Sequence, residues 1–294
     1  MKRRDVILGG GLMLSAACAR RGAIAATADD MAPLRAFERA SGGHVGMFAQ
    51  NLRTGAALSW READRFVACS TFKVSVAALA LRAVERGEAR PGDRLPLRPS
   101  DVPDWHAPAA RAALSRGWMT LDEMSEAAVT VSDNSCANIL LWRFGGPAAV
   151  TALWRQLGDR EGRLDDGEPM VNRTPAGGIR DTVTPRGMAR VLQGLLLGDT
   201  LAPASRDRLI RWMVACETGL DRLRAGLPAR WRVGDKTGNN GADAAGDIAM
   251  AWADPSTPIV ICAYTRGGIP TQGQFKELFP AIGRLVAARL GPLA

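Results

Sequence analysis

The chain has 294 residues, 47% of them apolar, enough to bury one large core or two interleaved ones. Its formal charge is +8, but Lys2, Arg3, Arg4, Arg20 and Arg21 against Asp5 place +4 of it in the first 25 residues. The rest is scattered, with no basic block and no interleaved aromatics, which argues against a nucleic-acid partner. The two histidines, His44 and His106, show no H-x-x-x-H spacing and the cysteines no C-x-x-C, so a zinc hydrolase lacks its ligands. No G-x-S-x-G serine is present for a histidine of a Ser-His-Asp triad to serve.

In chain order, Lys2-Arg3-Arg4 precedes an apolar stretch from Val6 to Ala19, too short to span a bilayer, and Ala23-Ile24-Ala25 is a small-x-small cleavage site. Residues 1–25 therefore read as an export signal. Arg3-Arg4-Asp5-Val6-Ile7-Leu8 resembles the twin-arginine type, and Cys18 is a weaker candidate for lipidation. Residues 31–42 form an amphipathic helical pattern; His44 to Leu52 and Ala56 to Trp60 read as two strands around Arg53-Thr54-Gly55. Helical patterns follow at 71–86, 121–131, 134–144, 148–157, 186–197 and 205–215. Pro147 and Pro185 sit in first turns; Gly145, Gly158 and Gly198 act as stops. Strand patterns return at 231–236, 246–253 and 258–265, before a last amphipathic helix at 274–290. This predicts an α+β fold: a five-stranded antiparallel sheet built from both termini and flanked by helices, with an inserted all-α subdomain. The expected division is 26–68 with 214–294 as the α/β part, and 69–213 as the helical part. The longest stretch without periodicity is the loop 159–181, and long ordered loops usually serve function.

The chemistry gathers in four short motifs. Ser70-Thr71-Phe72-Lys73 opens a run that stays apolar on nearly every side to Val84, which marks a buried helix. Ser70 falls at its N-terminus, where free N–H groups favour a developing anion, and Lys73 lies one turn on along the same face. A lysine in such surroundings loses basicity on burial, and a serine beside it is an activated nucleophile. Ser132-Asp133-Asn134 lies between two helical patterns, the first opening with the capping box Thr120-Leu121-Asp122-Glu123. Lys236-Thr237-Gly238 ends a strand-like run, and Glu168-Pro169-Met170-Val171-Asn172 lies in the long loop. Singly, each is ordinary: S-x-x-K is frequent, S-D-N is a helix cap, K-T-G and Glu-Pro are turns.

Together and in this order they resemble the class A serine β-lactamases, which belong with the penicillin-binding enzymes, from about Arg35 to the C-terminus. The resemblance implies hydrolysis of the β-lactam amide through an acyl-Ser70 intermediate, without metal or cofactor. It implies an omega loop whose Glu168 and Asn172 hold the deacylating water, and Lys73 or Glu168 as the base in acylation, left open here. Ser132 would protonate the leaving nitrogen. Lys236, Thr237 and Arg222 would bind the substrate carboxylate, and Asn134 its acylamide chain. The N–H groups of Ser70 and Asn239, beyond Gly238, would form the oxyanion hole, and Trp105 would stack at the cleft rim. The implied protein is a periplasmic or secreted monomer with a small-molecule β-lactam substrate and no stable membrane insertion once the signal is removed. Cys69, Cys136, Cys216 and Cys262 are expected as unpaired, buried thiols, since the disulfide partner that some relatives give Cys69 falls at Asn240. One departure stands out. Where the family pairs an arginine with an aspartate across the omega loop, this chain has Asp166 and Asp181, predicting repulsion unless Arg163, Arg173 or Arg180 compensates. The alternatives are a DD-peptidase-like transferase and a β-lactam-binding sensor; both would acylate and stop.

Overall fold

The computed structural model describes residues 30–292, so the export-signal segment and Cys18 lie outside the described residues. The elements are α1 (Ala32–Ser41), β1 (His44–Asn51), β2 (Ala57–Trp60), β3 (Phe66–Val67), α2 (Lys73–Glu85), β4 (Arg94–Pro96), α3 (Pro108–Ala113), β5 (Trp118–Thr120), α4 (Leu121–Thr130), α5 (Asn134–Arg143) and α6 (Gly146–Gln156). They continue with β6 (Thr182–Val183), α7 (Pro185–Leu196), α8 (Pro203–Val214), α9 (Leu223–Gly226), β7 (Arg232–Asn239), β8 (Ala245–Trp252), β9 (Pro258–Arg266) and α10 (Gln272–Leu290).

Five strands form one antiparallel sheet in the order β2-β1-β9-β8-β7, so the N-terminal hairpin joins the C-terminal meander through the β1–β9 pairing, with Met47 opposite Ala263. Strand side chains alternate between faces. One set, including Phe48, Ile248, Met250, Val260 and Tyr264, packs into the core shared with the middle helices. The other, including Met47, Ala49, Ala249, Ile259 and Ile261, packs under α1 and α10, contributors of Leu34, Phe37, Phe279 and Ile282. Helix α2 is buried along most of its length and packs against α4, α5, α6 and α8, which is why its sequence is apolar all round. The capping box at Thr120 forms as read: Thr120 Oγ1 accepts from Glu123 N (3.1 Å) and Glu123 Oε2 accepts from Thr120 N (2.6 Å).

Two small two-stranded sheets, β3 with β6 and β4 with β5, and the short α3 and α9 do not follow from periodicity, because two to six residues are too few to show a period. The first of them matters for the site, since Phe66–Val67 pairs with Thr182–Val183 and fixes the end of the loop 159–181.

Candidate active site

Ser70 stands in a tight 3₁₀ turn, Cys69–Phe72, that runs directly into α2. Thr71 holds the turn: its hydroxyl bonds Ala68 O (2.6 Å) and meets the Tyr264 hydroxyl of β9 (3.0 Å). Cys69 has φ +43° and Ser132 φ +59°, a region non-glycine residues enter rarely and mostly where the surrounding structure enforces it. Gly238 explains how closely β7 approaches. A Cβ there would lie 2.8 Å from Ser70 N and 2.7 Å from Cys69 Cβ, so only glycine lets the strand reach the nucleophile's backbone.

Around Ser70 the polar groups form a closed network. Ser70 Oγ donates to Glu168 Oε1 (2.8 Å), and the Lys73 ammonium lies 3.0 Å from the same oxygen. Lys73 Nζ also donates to Ser132 O (2.8 Å) and Asn134 Oδ1 (2.5 Å) and approaches Ser132 Oγ (3.4 Å). Lys236 Nζ donates to Ser132 Oγ (2.9 Å) from the opposite side. Asn172 Nδ2 donates to Glu168 Oε2 (2.6 Å). Lys73 and Lys236 are fully buried, at 0% exposure, so their charges matter greatly. Burial pushes Lys73 below the usual lysine range, partly opposed by Glu168. Burial would raise Glu168, but the Lys73 charge and hydrogen bonds from Ser70, Lys73 and Asn172 outweigh it and hold the carboxyl below its ordinary value. Lys236 is pushed down to about 8, first by burial, with the Lys73 charge adding.

Ser132 is positioned by a strap. Residues 105–110 hold the residues on either side of it through four hydrogen bonds: Trp105 Nε1 to Ser135 Oγ (2.8 Å), a His106 Nε2 bond with Val131 O (2.8 Å), Asn134 N to His106 O (2.9 Å) and Ala110 N to Asp133 Oδ2 (2.9 Å). Buried Asp133 also caps α5 by accepting from Cys136 N (2.9 Å). This corrects the expected place of Trp105. Its indole packs against the helical core and spends its N–H on Ser135, as a half-buried tryptophan does, and it is not among the residues lining the cleft. The neighbouring His106 is.

The loop 159–181 is held at Glu168 by Asn138 of α5, whose amide donates to Glu168 O (2.9 Å) and accepts from Glu168 N (2.9 Å); the Glu168–Pro169 peptide is cis. Of the two outcomes left open for Asp166 and Asp181, the structure shows compensation by arginine. Arg180 pairs with Asp166 (2.8 Å) and Arg163 with Asp165. Asp181 Oδ1 accepts backbone N–H from Asp165 (2.8 Å) and Asp166 (2.9 Å), and Asp165 Oδ2 accepts from Asp181 N (3.1 Å). Burial, and to a smaller degree the nearby Asp166 carboxylate, still push Asp181 up.

These groups open on a cleft of about 350 Å³ lined by Ser70, Ser132, Asn134, Glu168, Asn172, Arg222, Thr237, Gly238 and Asn239 together with His106 and Thr218. Thr218 bonds the Thr237 hydroxyl (2.6 Å), and Arg222, 8% exposed, lies against the Phe279 ring (4.7 Å). Of the residues singled out from sequence, only Trp105 and the fully buried Lys73 and Lys236 are absent from the lining, the lysines reaching the network through their ammonium groups. His106, Thr218, Asn138 and the double role of Asp133 were missed. Only Asn138 left a trace, as a polar residue four after Asn134 and so on the same helix face. Cys69, Cys136, Cys216 and Cys262 are free and buried. Among the described residues no group of three or more His, Cys, Asp or Glu could hold a metal ion.

A sheet of this order with a serine, two buried lysines, a second serine and a carboxylate at its edge defines a class A serine β-lactamase. The chain belongs to the β-lactamase enzyme family, whose model matches residues 30–290. It is 40% identical over 257 residues to the β-lactamase L2 of Stenotrophomonas maltophilia, covering 87% of this chain and 84% of that protein. It is 37% identical to the carbapenem-hydrolysing β-lactamase KPC of Klebsiella oxytoca, covering 88% of each. Among solved structures, a β-lactamase from Xanthomonas campestris matches with TM-score 0.85 and 38% identity over 90% of this chain and 98% of that one. An ancestral class A β-lactamase of Gram-negative bacteria matches with TM-score 0.82 and 43% identity over 87% and 97%.

Proposed function

We propose that this β-lactamase works through the residues gathered in the cleft, with Glu168 as the base in both halves of the reaction. The observation that carries this is the direct 2.8 Å hydrogen bond from Ser70 Oγ to a Glu168 carboxylate held ionised by Lys73. In acylation, Ser70 gives its proton to Glu168 as Oγ attacks the lactam carbonyl carbon. The oxyanion forms against the Ser70 and Asn239 N–H groups, donors worth about 3–4 kcal/mol each in such sites. Collapse breaks the C–N bond. Ser132 gives its proton to the nitrogen and regains one through Lys73, which Glu168 reprotonates. In deacylation, water gives a proton to Glu168 and attacks the ester carbonyl, and Ser70 leaves with that proton. Lys236, Thr237 and Arg222 hold the substrate carboxylate, and Asn134 the acylamide chain.

Intact mass spectrometry with a penicillin tests the scheme through two variants. Ser70→Ala is expected to show no adduct. Glu168→Ala is expected to slow both steps, acylation less because lactam ring strain helps drive it, and so to accumulate an adduct, with deacylation slowed roughly 10²–10⁴-fold. An adduct on the first or wild-type turnover by the second would overturn it. The same result separates a hydrolase from a transferase or sensor, since a wild-type protein that stops after one equivalent of chromogenic cephalosporin is neither regenerated by Glu168 nor a catalyst.

The same reading takes residues 26–68 with 214–294, and 69–213, as the two parts on either side of the cleft. It takes the protein as a monomer exported through the Arg3-Arg4 signal to the periplasm or beyond. No helix among the described residues is long and apolar enough to cross a membrane. Periplasmic activity undiminished by Arg3→Lys with Arg4→Lys would contradict the twin-arginine route, and a sedimentation mass of twice the chain would contradict the monomer.

A further inference from the structure

Beneath the Arg222 end of the cleft lie four buried polar atoms without a hydrogen-bond partner in the protein: Arg222 Nη1, Arg224 Nε, Asp235 Oδ2 and Asp247 Oδ1. Folded proteins leave few such atoms, and four at one place ask for a reason. Asp235 and Asp247 are both 0% exposed. They sit on adjacent strands, Asp247 opposite Thr237 and Asp235 opposite Ala249, so both face the same side of the sheet. On that face the other residues of β8 are Ala245, Ala249 and Ala251. A stable sheet needs no acid there, and burying one that is incompletely hydrogen-bonded costs free energy.

The loop leading to Arg222 rests on these two acids. A Cβ at Gly219 would lie 1.4 Å from Asp235 Oδ2, so bare backbone crosses that carboxylate. Asp235 Oδ1 takes the guanidinium of Arg224, which also bonds Val214 O (3.0 Å) and Met213 O (3.3 Å). Asp247 Oδ2 accepts the N–H of Leu223 (3.0 Å), the peptide directly after Arg222. Arg222 itself makes no ion pair among the described residues; its guanidinium lies over Phe279 and lines the cleft.

We propose that Asp247 is a positioning residue for Arg222: by holding the Leu223 amide from the strand that pairs with Thr237, it sets the guanidinium beside Thr237 for the substrate carboxylate. The proposal rests on the reading that Arg222 binds that carboxylate. Asp247 never meets substrate; it acts through one peptide. Burial, with the neighbouring Asp235 charge adding, pushes Asp247 well above the usual carboxylate range, against the pull of the Arg222 and Arg224 charges.

Benzylpenicillin and its methyl ester, which lacks the anionic carboxylate, separate this role from general support. Losing one charge-assisted contact corresponds to roughly tenfold or more in binding. Asp247→Leu is therefore expected to raise KM for benzylpenicillin about tenfold with kcat changed less than about threefold, and to leave kcat/KM for the ester within about twofold. Asp247→Asn keeps a carbonyl acceptor for Leu223 N and is expected to recover most of the loss. Adding Asp247→Leu to Arg222→Ala is expected to cost nothing further. Equal losses on acid and ester, or an unchanged KM, overturn the proposal. An Arg222→Ala enzyme with unchanged KM for benzylpenicillin would instead refute the carboxylate reading beneath it. Should the leucine variant not fold, Asp247→Ala removes the same acceptor without added bulk, and the same comparison decides.

Discussion

The loop carrying Ser132 and the loop carrying Glu168 meet over one nucleophile, but they are not fastened alike. The Ser132 loop is bound by buried hydrogen bonds: Asp133 at 0% exposure serves both Cys136 N and Ala110 N, and the strap 105–110 closes over it. The Glu168 loop is also clamped inside, by Asn138 and by the buried Asp181, but its base adds ion pairs near the surface, with the Arg180 side chain 60% and the Asp166 side chain 32% exposed. Buried polar contacts lose their full desolvation cost when broken; exposed ion pairs lose little. Both loops are thus anchored by buried hydrogen bonds, and the Glu168 loop alone adds exposed ion pairs, the contacts that cost least to break.

Cutting the buried anchor of the Ser132 loop should have the largest effect. Asp133→Ala leaves two buried N–H groups unsatisfied and removes a helix cap, a loss of roughly 2–4 kcal/mol. At this chain length that lowers the melting temperature by roughly 5–10 °C, read by thermal denaturation. A drop below about 2 °C would erase the distinction between the two loops.

An intermediate effect belongs to the lysine that joins the two sides. In the proposed scheme Lys236 binds the substrate carboxylate, which it does only while protonated, and burial pushes it down to about 8. Its charge is present below that pH and lost above it. For an anionic penicillin, kcat/KM should therefore fall toward tenfold per unit above about pH 8, while Lys236→Arg, charged throughout, should move that limb upward. A flat profile from pH 7 to 10 would show that the lysine charge does not carry binding.

The smallest effect is expected from Arg180→Ala, worth about 0–1 kcal/mol because the pair is largely solvated. Global melting barely moves. Amide exchange in 163–181 should quicken while that of 131–135 stays as it was. If exchange quickens equally in both segments, the loops are one unit and the contrast fails.

How far this site could be read from sequence follows the same divide. Ser70 with Lys73, Ser132 with Asn134, Lys236 with Thr237, and Glu168 with Asn172 were legible because each pair sits within one turn or strand end, where spacing dictates a shared direction. The sheet built from both termini was legible because its strands, β2 excepted, are eight or nine residues long and buried almost throughout, giving apolar runs between turn signals. Asn138, Thr218, His106 and Asp247 were not, because what they do depends on partners 19 to 30 residues away or on an adjacent strand. Trp105 was placed at the rim by position in a motif, but burial of its ring and a hydroxyl at Ser135 decide otherwise. For Asp166 and Asp181 the sequence offered three compensating arginines, Arg163, Arg173 and Arg180; which of them reaches Asp166 depends on how the loop folds, and it is Arg180.

The sheet order has a consequence in time. β1 emerges from the ribosome early, yet its neighbour β9 lies more than 200 residues later, and Asn51 Nδ2 bonds Leu290 O, 239 positions away (2.7 Å). Until the last fifth of the chain has been made, β1 has one bare edge, a surface prone to pair with the wrong strand. Ser70 meanwhile lacks the strand that brings Lys236 and Gly238 to it. A growing chain of this design has no half-competent stage: it becomes an enzyme only once its final strand and helix have closed the sheet.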